Sequence, residues 1–237
     1  MPLAFLCDFD GTVSPRDIGA AFAERFSRDG DAARVPELAA WRAGRLGHRS
    51  LTLAQCARLR AGEAEALAFT REFALDPAFA PFARAALAAG DKVMVVSEGF
   101  DFYVRDLLAR AGLAELPWAA NALVFGADGA VEPRFPFADP ACDACGNCKA
   151  VHVRRAKAGG FHTVLVGDGD SDRHGALEAD TVLARGSLLE WCRAEGITHT
   201  EVRGFADVFE WAREATPRAR HDRRRDRPLR AAGGGRA

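Results

Sequence analysis

Short, continuous apolar runs alternate along this chain with amphipathic stretches of helical period. Residues 3–7 form an apolar strand that stops at an acidic turn, Asp8-Phe9-Asp10-Gly11-Thr12. From residue 15 to about 74 the period becomes helical: Ile18, Phe22 and Phe26 share one face, as do Leu51, Leu53, Ala54 and Ala57 further on. Gly44, Gly47 and Gly62 punctuate this block. The pattern predicts a helix over 78–89, stopped by Gly90, that feeds a strand over 93–96 ending at Ser97. A helix with Tyr103, Leu107 and Leu108 on its apolar face comes next. Residues 122–125 and those around Val131 flank an Asp128-Gly129 turn and predict a hairpin. After an irregular cysteine-bearing loop, a basic helix over 149–158 is closed by Gly159 and Gly160. Two more strands are expected, over 163–166 running into Gly167-Asp168 and over 181–183. Ser187 and Glu190 read as a capping box for a helix carrying Leu188, Leu189 and Trp191, and a last helix is expected over 206–213.

Apolar strands alternating with helices predict an α/β protein with a Rossmann-like parallel sheet covered on both faces. The block after the first strand has no strand of its own and reads as an inserted helical cap. The expected division is a core of 1–14 and 76–215, a cap of 15–75, and a tail of 216–237. Open α/β sheets bind ligands at the carboxyl ends of their strands, so the strand-end residues Asp8, Ser97 and Asp168 should converge.

The 237 residues are 49% apolar and 27% charged, ordinary for a water-soluble domain. There is no apolar run of membrane-spanning length, and the N-terminus lacks a basic leader, so the cytoplasm is the expected compartment. The formal charge of −1 hides an asymmetry: residues 217–237 carry eight Arg against two Asp. That tail has no apolar period and reads as a disordered, solvated segment rather than a nucleic-acid-binding one.

Asp8 and Asp10 stand two apart at one strand end, and Asp168 and Asp172 follow another. Carboxylates gathered in one crevice repel each other unless a cation holds them, and oxygen ligands suit Mg²⁺. Ser97, Glu98 and Gly99 at a strand-to-helix turn offer a hydroxyl and backbone N–H groups to an anion. Lys149 adds a point charge in a chain of only three Lys against twenty-nine Arg. Cys142, Cys145 and Cys148 stand three apart directly before Lys149. Three thiolates so spaced can bind Zn²⁺, with His152 as a fourth ligand; reduced thiols packed in a loop that positions Lys149 would give the same pattern.

Taken in order, Asp-x-Asp-Gly-Thr, strand-Ser, Lys and Gly-Asp-x-x-x-Asp resemble the four motifs of the haloacid dehalogenase superfamily. The helical insertion is similar to the cap of its phosphoserine phosphatase branch. Asp76-Pro77-Ala78-Phe79, Ser97-Glu98-Gly99-Phe100-Asp101-Phe102, Asn121-Ala122-Leu123 and Cys145-Gly146-Asn147-Cys148-Lys149 look more closely like the MtnX-like phosphatases of methionine salvage, as does the helix Leu188-Leu189-Glu190-Trp191-Cys192. The resemblance implies a Mg²⁺-dependent phosphatase with Asp8 as nucleophile and Asp10 as acid and base. It also implies metal ligation by Asp8, Asp10 and Asp168, with support from Asp172, and phosphate binding by Ser97 and Lys149. The implied substrate is a small phosphorylated metabolite, 2-hydroxy-3-keto-5-methylthiopentenyl-1-phosphate, or alternatively phosphoserine or another small phosphoester. A sugar-phosphate mutase shares these motifs, and a non-catalytic regulator or nucleic-acid-associated protein is the rival of a different class. Asp17 stands where the phosphoserine enzymes resemble each other in carrying an amine-reading Glu; it also reads as the cap of the helix at Ile18.

Overall fold

Alternation along each strand sends successive side chains to opposite faces, and both faces are buried. On β1 (Leu3–Cys7), Leu3, Phe5 and Cys7 enter one hydrophobic cluster while Ala4 and Leu6 enter a second. On β5 (His162–Gly167), Val164 and Val166 join the first cluster and Leu165 the second. The computed structural model describes residues 1–28 and 35–225. Its seven-stranded sheet runs in the order β4-β3-β2-β1-β5-β6-β7, with β2 (Lys92–Phe100), β3 (Trp118–Phe125), β4 (Val131–Arg134), β6 (Thr181–Ala184) and β7 (Thr200–Glu201). All neighbours are parallel except β3 and β4, the hairpin expected around Asp128-Gly129.

The cap side of the chain supplies α1 (Ile18–Phe26), α2 (Val35–Arg42), α3 (His48–Cys56) and α4 (Glu63–Phe69). Phe22 is wholly buried against Phe26, Phe69 and Phe102, which ties the insertion to α6 (Asp101–Arg110) of the core. The first cluster also takes α5 (Phe79–Ala88) and α10 (Phe205–Arg225), where Phe79 and Phe82 pack on Phe205 and Phe82 stands edge-on to Phe5. The second cluster lies under α7 (Lys149–Ala158), α8 (Arg173–Glu178) and α9 (Gly186–Glu195).

Two local expectations change. Ser187 is not a helix cap: α9 begins at Gly186 behind Arg185, and the Ser187 hydroxyl donates to the Asp168 carbonyl at 3.4 Å. The last helix extends past Pro217 to Arg225, into the arginine-rich stretch expected to lack structure, since Arg and Ala are good helix formers. The remainder of the expected tail, 226–237, lies outside the described residues. No helix among the described residues is long and apolar enough to cross a membrane.

Candidate active site

Register brings the strand ends together. Cys7 pairs with Val95 and with Val166, so Asp8, Ser97 and Asp168 all emerge at one sheet edge. β2 does not stop at Ser97; its pairing with β3 slips between Val96 and Phe100, and Ser97–Gly99 occupy the irregularity. At Gly11 the backbone turns with φ +84°, and a Cβ there would come within 2.4 Å of an Asp168 oxygen. Only glycine fits, on both counts. Thr12 then donates its hydroxyl to Asp168 Oδ1 at 2.6 Å, stitching the first loop to the loop after β5.

Lys149 opens α7 and is wholly buried. Its ammonium donates to Asp8 Oδ1 at 2.5 Å and to Asp172 Oδ1. Burial opposes its charge, but Asp172 and Asp8 outweigh that and raise its pKa. Asp172 is likewise wholly buried, and its second oxygen accepts the backbone N–H groups of Asp168 and Gly169 at 3.0 and 2.9 Å. Its two oxygens are therefore committed to holding Lys149 and the loop. Burial first, then repulsion by Asp172, pushes Asp8 well above the usual carboxylate range; burial also raises Asp168. Ligand oxygens of Asp8, Asp168 and Asp172 all lie within 4.8 Å of one another. Three carboxylates beside one ammonium leave two negative charges uncompensated, and with Asp172 so committed the Asp8 and Asp168 carboxylates are the oxygen donors that fit one hard divalent cation such as Mg²⁺.

Asp10 reaches the other way, into the start of the cap. Its Oδ1 accepts the N–H groups of Ile18 and Gly19 at 2.9 and 3.2 Å. Its Oδ2 accepts the Tyr103 hydroxyl at 2.8 Å and the Ser97 hydroxyl at 3.3 Å. Burial, and after it the nearby Asp17 carboxylate, raises Asp10 to about 7 against these helping bonds. A carboxyl so poised can both give and take a proton near neutral pH. Gly99 lets this happen: a Cβ there would stand 1.6 Å from the Tyr103 oxygen and 2.6 Å from Asp10.

Asp17 caps α1, accepting the Ala20 N–H at 2.7 Å, and lines the crevice above Asp10. The cap side of this crevice is formed by Leu38 and Trp41 of α2 and by Leu51, Thr52 and Gln55 of α3. Glu98, whose backbone is expected to help form the anion-binding turn, lines the same crevice and extends its side chain toward the cap. One oxygen meets His48 Nδ1 at 2.6 Å and the Gly146 N–H at 3.1 Å. Burial opposes its charge, yet His48, Lys149 and Gly146 hold it below the usual range.

The cysteine loop lies beside this site. Asn147 donates from Nδ2 to the carbonyls of Ser97 and Ala119 at 2.9 and 3.0 Å, anchoring the loop to β2 and β3. His152 is not near the thiols as a ligand: its Nε2 faces Asn147 Oδ1 at 2.7 Å, and burial lowers its pKa to about 4. The histidine that meets the cysteines is His174 of α8. Asn147 lies inside the Cys145-Gly146-Asn147-Cys148-Lys149 motif, whereas Tyr103, His48 and His174 carry no motif around them. Of those three only Tyr103 left a signal, as the single tyrosine of the chain.

A family model for haloacid dehalogenase-like hydrolase matches residues 5–177. A 2-hydroxy-3-keto-5-methylthiopentenyl-1-phosphate phosphatase of Brevibacillus brevis is 27% identical, covering 87% of this chain and 93% of that protein. Its namesake in Geobacillus kaustophilus is 31% identical, covering 88% and 94%. Among solved structures, a substrate-bound phosphoserine phosphatase complex aligns with a TM-score of 0.69 at 19% identity, over 89% of this chain and 98% of that one. At that identity the likeness is one of fold.

Proposed function

The chain belongs to the haloacid dehalogenase-like hydrolases and is a phosphatase, and from that premise we propose that it hydrolyses a small phosphoester with an uncharged, partly apolar leaving group, through an aspartyl-phosphate on Asp8. The substrate named for the relatives, 2-hydroxy-3-keto-5-methylthiopentenyl-1-phosphate, has this chemistry. The observation that carries the reading is the crevice itself, with Asp8, Asp10 and Asp168 below and Leu38, Trp41 and Leu51 above.

In this reading the Asp8 carboxylate attacks phosphorus in line. The bond to the leaving oxygen breaks as Asp10 gives it a proton. Asp10, now ionised, takes a proton from the water that cleaves the acyl phosphate. Lys149 fixes one oxygen of Asp8 and, with Ser97, faces the transferred oxygens. Phosphatases of this family use Mg²⁺, which would be held by Asp8, Asp168 and the Asp10 carbonyl; when bound it neutralises charge on the phosphoryl oxygens. Asp172 acts through Lys149 and the loop backbone rather than as a direct ligand.

The test is a substrate comparison. The enol or keto phosphate should exceed phosphoserine by about tenfold or more in kcat/KM, roughly 1.4 kcal/mol of discrimination. Asp17→Asn should cost little with the preferred substrate, because no ammonium needs pairing. Preference for phosphoserine, with Asp17→Asn crippling its turnover, would overturn the substrate assignment and leave the phosphatase mechanism standing.

A further inference from the structure

Residues 138–148 form a loop without helix or strand, yet they set the position of Lys149. The loop has little apolar material of its own. Cys145, Cys148 and Ala150 form a small cluster apart from the two main ones, with Cys142, Ala144 and Val151 at its margin. Something other than hydrophobic burial must therefore order it.

Cys142 Sγ, Cys145 Sγ, Cys148 Sγ and a ring nitrogen of His174 all lie within 4.8 Å of one another. Cys145 Sγ stands 3.2 Å from His174 Nδ1. Around tetrahedral zinc, with bonds of about 2.3 Å to sulfur, ligand atoms are about 3.5–3.8 Å apart. The four donors thus need only sub-ångström adjustments to close on one ion. The donors come from two separate pieces of chain, the loop and α8, so coordination would cross-link them.

The surroundings suit such a centre. Three thiolates around a divalent ion leave one negative charge. Arg49 of the cap lies against the loop, donating to the Cys142 carbonyl at 2.8 Å and to the Cys145 carbonyl at 2.7 Å. The Arg49 N–H also donates to the Ala144 carbonyl at 2.9 Å. We propose that Cys142, Cys145, Cys148 and His174 form a structural zinc site, separate from the magnesium site, that fixes the loop carrying Lys149 and the seat of α3. Its four protein ligands leave no open position, so its role is to hold rather than to react.

The experiment is metal analysis of the full-length protein, purified without chelator and dialysed against metal-free buffer. About one zinc per chain is expected, released by a mercurial thiol reagent. Cobalt exchanged into the site should show thiolate charge-transfer bands and the intense visible bands of a tetrahedral centre. His174→Ala, a change at an exposed residue, should weaken cobalt binding by about tenfold or more and alter the visible bands. Asp168→Asn should leave zinc content unchanged, which separates this site from the catalytic crevice. Three freely titrating thiols in a protein that takes up neither zinc nor cobalt would overturn the proposal. So would a disulfide between Cys145 and Cys148 in freshly isolated protein, or a cobalt spectrum indifferent to His174→Ala.

Discussion

Replacing Tyr103 by Phe removes one oxygen from the site and little else. The ring is wholly buried, stacked on Phe9 at 5.8 Å and edge-on to Phe102, and Phe keeps those contacts. What is lost is the hydrogen bond that Tyr103 donates to Asp10 Oδ2 at 2.8 Å. That bond favours the ionised carboxylate, so its loss raises a pKa already pushed up to about 7. A hydrogen bond to a charged group is worth about 1.5–3 kcal/mol, and 1.36 kcal/mol is one pKa unit, so the rise is roughly one to two units. The form of Asp10 that assists departure of the leaving group is protonated, and rising pH depletes it. The alkaline limb of kcat/KM should therefore move to higher pH. Near pH 9 the wild-type acid is about 1% protonated, whereas the variant's is roughly 10–50% protonated, a gain of ten- to fiftyfold trimmed by the weaker acidity of the group. Near pH 7 the gain is at most about twofold, so a single-pH assay would miss it. The measurement is kcat/KM from about pH 5 to pH 10 for both proteins, with an aryl phosphate as control because its leaving group needs little proton assistance. An alkaline limb that stays in place or moves to lower pH would refute Asp10 as the acid governed by Tyr103.

Three further outcomes are expected. Asp8→Asn should retain the fold and lose turnover, since the near-isosteric amide cannot attack phosphorus; more than about a tenth of wild-type kcat would sink the covalent mechanism. Activity should vanish in chelator and return with Mg²⁺ alone, while Ca²⁺, with its larger and looser coordination, should inhibit; full activity in metal-free buffer would contradict the role given to Asp168. Deleting residues 217–237 should leave kcat and the thermal midpoint nearly unchanged, because Phe205, Val208 and Ala212, the buried α10 side chains among the described residues, precede the cut, and a large fall in midpoint would show that the segment packs after all.

Much of this protein is written in local pattern. Strands such as β1 are short apolar runs whose neighbours alternate between two buried faces, and their ends carry Asp8 and Asp168, so period and position suffice to find them. α7 begins at Lys149 and ends before Gly159, as its residues imply, because helix boundaries depend on nearby chain. What local pattern did not reveal depends on partners far away in sequence. Tyr103 reads as one more apolar position of its helix, and its ring does lie in the core. Its hydroxyl becomes part of the site only because β2 and β1 place it 2.8 Å from a residue 93 positions earlier. Glu98 reads as part of an anion-binding turn, yet its side chain leaves that turn for His48, which the folded cap alone brings within reach. Likewise His152 has the right spacing for the cysteines, whereas His174 has the right place, because α8 packs beside α7 and presents it to them. Sequence spacing determined the groups that share one strand end or one helical turn. Strand register and helix packing decided which of them meet, since long-range contacts follow from burying both faces of the sheet together rather than from any single segment's period.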